Sequence, residues 1–202
     1  CLHSSGVLHR DLKPANILIF GDATTCDTTR CCTWRPVLSD FGSACVLPAS
    51  PSTMNVNLRR SVLPRQRYCT LYYSAPEVLM AGCEYDFPSD MWSLGLVLGE
   101  FQHGNALCCA AASGACDWQQ LLEAWRFTSY RSTYTFSRPF GTGAKRQQGS
   151  FFFKQRARLE LLRHVSPSSL AREAVAGNRR GQLHGLAPDM LQFAPMDRIT
   201  SH

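Results

Sequence analysis

The chain has 202 residues, of which 45% are hydrophobic, and a formal charge of +6; this is enough apolar matter for one domain-sized core and excludes wholesale disorder. Ten cysteines without a secretory leader argue for free thiols in a reducing compartment rather than a disulfide-built mini-protein. Adjacent cysteines at 31–32 and 108–109, with no His pair after them, do not have the spacing of a zinc site.

The chain starts at Cys1 and runs straight into motif-like sequence, so it reads as a fragment of something longer. After a short turn from Val7, the apolar run Ile17-Leu18-Ile19-Phe20, ended by Gly21-Asp22, has the length and branching of a buried strand. Ala23 to Arg35, rich in Thr and Cys, reads as a loop insertion, and Val37-Leu38 as a second short strand. Residues 48–67 hold three prolines and Arg59, Arg60, Arg65 and Arg67, and read as another loop.

From Ser89 the pattern turns helical, with Ser89-Asp90 as the expected cap. Trp92, Leu94, Leu96, Val97, Leu98 and Phe101 make this helix apolar nearly all round, which predicts a place inside a core. Glu100, Gln102 and His103 interrupt the apolar stretch 91–112, so no membrane span and a soluble chain are expected. Residues 104–116 are low in complexity, Gln119 to Phe127 predicts a helix, and 128–150 reads as a loop. Phe151 to Val165 predicts a basic amphipathic helix that gathers Phe152, Leu159 and Leu162, docked on its own domain rather than on a membrane.

Charge is concentrated in one segment. Residues 126–180 hold twelve Lys/Arg against Glu160 and Glu173, a local +10, so the remainder carries −4. A solvated insert explains this better than a nucleic-acid surface, because no aromatic recognition motif is interleaved with the charge, and nucleic acid is not an expected partner.

The chemistry lies near the start. His9-Arg10-Asp11-Leu12-Lys13-Pro14-Ala15-Asn16 sets a carboxylate, an ammonium and an amide on a turn feeding a strand. Phosphoryl transfer needs these three groups: Asp11 to accept or orient a hydroxyl proton, Lys13 to stabilise charge on the moving group, and the Asn16 oxygen to ligate Mg²⁺. Asp40 adds a second metal-binding carboxylate, followed by Phe41 and Gly42 where the chain turns.

In order, H-R-D-L-x-x-x-N at 9–16, D-F-G at 40–42 and Ala75-Pro76-Glu77 match the protein-kinase signature set. The chain resembles the C-terminal lobe of a eukaryotic protein kinase. Ser89-Asp90-Met91-Trp92-Ser93-Leu94-Gly95 is similar to the start of the family's central helix, and Met190 to Thr200 to its late M-L-x-x-x-P-x-x-R-I-T segment. The resemblance implies an α+β, kinase-like fold: residues 1–101 as the C-lobe core, 102–185 as a divergent, basic, insert-rich region, and 186–202 as the terminal Arg motif. Lys13 after the catalytic Asp and Thr70 ahead of Glu77 look like the serine/threonine type. Thr70 to Glu77 is similar to the T-L-W-Y-R-A-P-E run of cyclin-dependent kinases, and Asp40 to Ala44 to glycogen synthase and splicing-factor kinases. The group of cyclin-dependent, mitogen-activated and glycogen synthase kinases is therefore implied.

Carried over residue by residue, Asp11, Lys13 and Asn16 are the expected catalytic groups. Lys13, Asn16 and Asp40 are expected to meet ATP and Mg²⁺, with Asn16 and Asp40 on the metal. His9, Arg10, Phe41, Gly42, Thr70, Glu77, Asp90 and Arg198 are expected to be structural or regulatory. Arg10 would pair with an acidic or phosphorylated activation loop, Glu77 with Arg198, and Asp90 with the backbone at His9 and Arg10. Departures accompany these: Ser74 stands where the cyclin-dependent group has Arg, and Arg65 where it carries its activating Thr, with Ser61 and Tyr68 nearby but out of register. The family's Gly-rich loop, strand Lys and helix Glu precede the matched region, so an absent N-terminal lobe is expected, with poor stability alone. The implied function is transfer of the γ-phosphoryl of Mg·ATP to Ser/Thr hydroxyls of a protein substrate, by an intracellular enzyme of cytoplasm or nucleus, with a possible cyclin-like subunit. The alternative is a pseudokinase or truncated binding module.

Overall fold

The computed structural model describes residues 2–21, 34–47, 69–80, 86–108, 115–129, 156–168, 190–191 and 198. Two short antiparallel pairs come first. Strand β1 (Val7–Leu8) pairs with β4 (Cys45–Val46), with Val7 opposite Val46 and Leu8 opposite Cys45. Strand β2 (Ile17–Phe20) pairs with β3 (Arg35–Leu38), from Ile17 opposite Leu38 to Phe20 opposite Arg35.

The expected strand at Ile17–Phe20 forms, but it is not buried. Leu18, Ile19 and Phe20 are 46%, 53% and 51% exposed. Successive side chains of a strand point to opposite faces, and a two-stranded ribbon with no layer over it among the described residues leaves both faces open. Trp34, also half-exposed, lies against Gly21, where an added Cβ would come within 2.7 Å of the indole.

Helix α1 (Pro76–Leu79) begins on a proline, and α2 (Phe87–His103) starts two to three residues earlier than the sequence predicts. Its cap is Asp86, whose carboxylate accepts the Phe87 N–H at 2.8 Å and forms a reciprocal capping box with Ser89. Ser89 and Asp90 therefore lie within the first turn, buried, where Ser89 Oγ accepts the Asp86 N–H and donates to Glu77, and Asp90 is turned to the loop backbone. Gly104 closes α2 in a left-handed conformation, its N–H on Glu100 O at 2.7 Å. Trp92, Leu96 and Val97 are buried as expected, whereas Phe101 in the last turn emerges into solvent.

Helix α3 (Asp117–Ser129) packs on α1 and extends the expected Gln119–Phe127 helix at both ends. Residues 156–161 are helical, within the expected Phe151–Val165 helix; the chain leaves the helix after Leu161, and residues 151–155 lie outside the described residues. Ala157 and Leu161, one turn apart, are the buried positions, while Leu159 is exposed and Leu162 half-buried; Phe152 lies outside the described residues. One core results, in which Trp92 and Leu96 join Leu8, Leu79, Leu121, Ala124, Leu161 and Leu191. Residues between 102 and 185 thus supply part of the same core as the motif-bearing half. Among the described residues no helix is long and apolar enough to cross a membrane. The expected loops over most of 23–35, 48–67 and 130–150, and most of Met190 to Thr200, lie outside the described residues.

Candidate active site

The two strand pairs build the site. Residues 9–16 run from β1 to β2, and residues 39–44 run from β3 to β4, so two loops lie side by side, tied at both ends. Ser39 extends the β2–β3 ladder by donating its N–H to Asn16 O at 2.9 Å and its hydroxyl to the same oxygen at 3.1 Å. Midway, His9 Nε2 lies 2.9 Å from Ser39 O. The Asp11 N–H points at His9 Nδ1, 3.4 Å away, so the proton belongs on Nε2 and the imidazole donates across the loops. The Phe41 ring rests on the other side of His9, with centroids 5.0 Å apart.

Asp11 is the centre of a closed set of contacts. Its Oδ1 accepts both the N–H and the hydroxyl of Thr70 at 2.9 Å. Its Oδ2 accepts Lys13 Nζ at 2.7 Å and Asn16 Nδ2 at 3.3 Å, and Lys13 Nζ also donates to Thr70 Oγ1 at 3.1 Å. Burial pushes this carboxyl up, but the hydrogen bonds from Lys13 and Thr70 and the Lys13 charge outweigh it and hold Asp11 below its ordinary value of 3.8. Asp11 is therefore a carboxylate at neutral pH, with an ammonium beside it.

Behind the loop, Asp90 of α2 accepts the His9 N–H at 2.8 Å and the Arg10 N–H at 2.9 Å, and meets His3 Nε2 at 2.9 Å. Arg10 has φ of 68°, and Asp40 has φ of 60°; they are the two non-glycine residues with positive φ among the described residues. Such conformations cost of order 1–3 kcal/mol each and survive where surrounding bonds over-determine them. Arg10 Nε also donates to Ser43 O, in the loop that follows Asp40. The acidic or phosphorylated segment expected to face Arg10 lies outside the described residues.

Asn16 and Asp40 sit at the same end of the β2–β3 ribbon. Asn16 Nδ2 donates to Asp11 O at 2.8 Å, which assigns the amide orientation and leaves Oδ1 as the atom for a cation. The exposed Asp40 carboxylate accepts a long bond, 3.3 Å, from Gly42 N. One amide oxygen and one carboxylate suit a small hard cation that completes its shell with water and phosphate oxygens. Among the described residues there is no cluster of three or more His, Cys, Asp or Glu that would form an all-protein cage.

Glu77 and Arg198 meet as expected. Arg198 Nη2 donates to Glu77 Oε2 at 2.8 Å and Nη1 to Oε1 at 2.5 Å, a two-pronged pair. Ser89 Oγ donates to Glu77 Oε1 at 2.9 Å, Arg198 Nη1 reaches Pro88 O at 3.0 Å, and the guanidinium lies over the Trp92 ring. His9, Arg10, Asp11, Lys13, Asn16, Phe41, Thr70 and Asp90 are thus brought together by contacts, Asp40 and Gly42 lie on the adjoining loop with the exposed Asp40 side chain bonded to Gly42, and Glu77 with Arg198 form a separate buried pair at Ser89.

Sequence reasoning missed three residues that hold the assembly. His3 backs Asp90, and Ser93 donates to Tyr73 O at 2.8 Å. Gln120 of α3, fully buried, donates to Tyr72 O at 3.2 Å and Cys108 O at 2.8 Å. The signal for Gln120 was present: it occupies the first position of the stripe Gln120–Ala124–Phe127, where the helical period calls for an apolar residue.

Comparison with known proteins agrees with this geometry. The chain matches the protein kinase domain over residues 1–202. It is similar to the probable serine/threonine-protein kinase MRK1 homolog of Encephalitozoon cuniculi, 34% identical over 128 residues, covering 63% of this chain and 33% of that protein. It is also similar to mitogen-activated protein kinase 15 of Caenorhabditis elegans, 38% identical over 108 residues, covering 52% of this chain and 20% of that protein. The chain therefore spans a third or less of these relatives. Among solved structures, the yeast RNA Pol II CTD kinase CTDK-1 complex aligns with a TM-score of 0.58 at 20% identity, over 98% of this chain and 54% of that one, a likeness of fold.

Proposed function

This chain belongs to the protein kinase family, and from that premise we propose that the protein carrying it transfers the γ-phosphoryl group of Mg·ATP to serine or threonine hydroxyls of a protein substrate. One observation carries the reading: the Asp11 carboxylate, Lys13 ammonium and Thr70 hydroxyl close a hydrogen-bonded triangle, with Asn16 bonded to Asp11 and Asp40 at the same end of the β2–β3 ribbon. Asp11, Lys13 and Asn16 are the catalytic groups of this proposal, and Asn16 Oδ1 with Asp40 would hold Mg²⁺, which neutralises charge on the nucleotide phosphates when bound.

The chain's own residues do the rest. A carboxylate stabilised by an ammonium and two Thr70 donors is a weak base, suited to orienting an acceptor hydroxyl and taking its proton late. That matches a loose transition state in which little covalent help is required of the protein. An incoming hydroxyl takes a position at Asp11 now shared with Thr70 Oγ1. Lys13 Nζ, bridging Asp11 and Thr70, supplies positive charge where the transferred group passes. The amide of Asn16 keeps Asp11 aligned through its Nδ2, which leaves its Oδ1 as the atom that would hold the cation.

Membership of the cyclin-dependent, mitogen-activated and related group is part of the same proposal, supported by the likeness to mitogen-activated protein kinase 15, and so is a regulatory subunit. So is a location inside the cell, in cytoplasm or nucleus, where ATP is available. The test uses the protein as its gene encodes it, with labelled ATP and Ser- or Thr-centred peptides. Asp11→Asn and Asp40→Asn are expected to lower transfer by about 10²-fold or more, while each variant still unfolds in one cooperative step. Normal turnover by Asp11→Asn overturns the reading.

A further inference from the structure

We infer that Gln120 is a positioning residue for the acceptor polypeptide. This deepens the kinase reading and rests on it. Gln120 has no exposed surface, on a helix face otherwise built from Leu121, Ala124 and Phe127. A methionine would fill the same space, and an amide buried without partners is destabilising. The amide is accommodated because its nitrogen donates to two backbone carbonyls from distant segments, Tyr72 O and Cys108 O.

Tyr72 is the middle residue of the 3-10 turn Leu71–Tyr73, which starts at Thr70, and Thr70 holds Asp11 with both its N–H and its hydroxyl. An acceptor hydroxyl that takes the place of Thr70 Oγ1 on Asp11 brings its chain beside this turn. The turn is gripped from two sides. Helix α2 holds Tyr73, through Ser93 on its carbonyl and Glu100 on its hydroxyl at 2.7 Å, and α3 holds Tyr72 through Gln120. Leu71 and Tyr72 are half-buried, so the turn presents a formed surface beside the carboxylate. Without the Gln120 donors the Tyr72 carbonyl loses its hold on α3. The surface met by the peptide then shifts, while Asn16, Asp40 and the nucleotide side of the site do not.

The experiment compares Gln120→Met, Gln120→Asn and Leu121→Ala in the protein as encoded, with labelled ATP and an equimolar mixture of degenerate Ser-centred peptides. Loss of a hydrogen bond of ordinary strength is expected to raise the peptide KM roughly three- to tenfold in Gln120→Met, with the KM for ATP and kcat within about twofold of wild type. Gln120→Asn, too short to reach both carbonyls, moves the peptide KM in the same direction and decides the matter if the Met variant fails to fold. Leu121→Ala loosens the same helix without touching the two bonds and, at matched folded fraction, leaves the peptide KM unchanged. An unchanged peptide KM in the Gln120 variants, an equal rise in Leu121→Ala, or a parallel rise in the KM for ATP overturns this inference alone. Absence of any transfer by the wild-type protein overturns it together with the kinase reading.

Discussion

Asp90 accepts the backbone N–H of Arg10 at 2.9 Å, and Arg10 holds a φ of 68° that a side chain resists. The same carboxylate takes the His9 N–H and meets His3, so one buried acid on α2 sets the backbone from which Asp11 projects. The loop's strained turn and the central helix are two halves of one device.

Replacing Asp90 with Ala leaves two buried N–H groups without their acceptor. The expected loss is about 3 kcal/mol or more, read from the midpoint of urea unfolding. Amide exchange at His9 and Arg10 accelerates ahead of the rest of the molecule. A variant that unfolds at the wild-type midpoint contradicts the clamp.

Glu77 and Arg198 are both buried, so breaking the pair strands a charge. Glu77→Leu and Arg198→Met each lower stability by about 3–5 kcal/mol, and the double variant Glu77→Leu/Arg198→Met recovers part of it. Denaturant titration of the four proteins gives the coupling directly. Additive losses would mean that the pair contributes nothing as a pair.

The Asp11 carboxyl is held below its ordinary value of 3.8: burial alone raises it, and the Lys13 and Thr70 contacts more than reverse that. A depressed folded-state pKa adds stability that is complete above the unfolded value and is lost as pH falls through the folded one. The stability difference between wild type and Asp11→Asn is therefore constant from neutral pH down to about 5 and narrows below about 4. Thermal melts across that range test the sign; a gap that widens in acid is the contrary result.

Gly95 lies in α2 where an added Cβ would meet Met190 Cβ at 2.8 Å and Leu191 Cγ at 2.9 Å. Gly95→Ala is expected to destabilise by about 1–3 kcal/mol through overpacking, despite alanine's better helix propensity. Gly104→Ala meets open space but must adopt φ of 73° and loses about 1–2 kcal/mol for that reason alone. Denaturation of both variants, with a Gly95→Ala structure showing displacement at 190–191, separates the two causes.

Burial pushes the Cys45 thiol up, only partly opposed by Arg10. Cys116 is exposed. At pH 8, iodoacetamide followed by peptide mapping should find Cys116 modified well before Cys45. Equal rates would show that Cys45 is reached by solvent as freely as the loop residue.

The chemistry was legible in the sequence because it is local. His9 to Asn16 and Asp40 to Gly42 each place their groups within a few residues, and a turn of that length has few ways to arrange them. The pairs Glu77–Arg198 and Asp90 with His9 and Arg10 were also reached, through the family resemblance rather than through any pattern in the chain. Burial was legible only in part: Trp92, Leu96 and Val97 are interior as their pattern predicts, but the ribbon is not. Ile17–Phe20 has the composition of an interior strand, yet exposure depends on what packs over a ribbon, and that is decided by elements far away in sequence. The cap of α2 was misread because Ser89 and Asp90 are good capping residues by type, and only the fold shows that Asp86 takes that place and turns them inward to Glu77 and the loop backbone. Gln120 shows the same limit from the other side. A polar residue on an apolar stripe is visible at once, but its partners, Tyr72 O and Cys108 O, are fixed only when α3 is docked. The residue types and their local order determine what chemistry this protein can do; which groups meet, and which are shielded from water, follows from long-range packing that no short stretch of sequence contains.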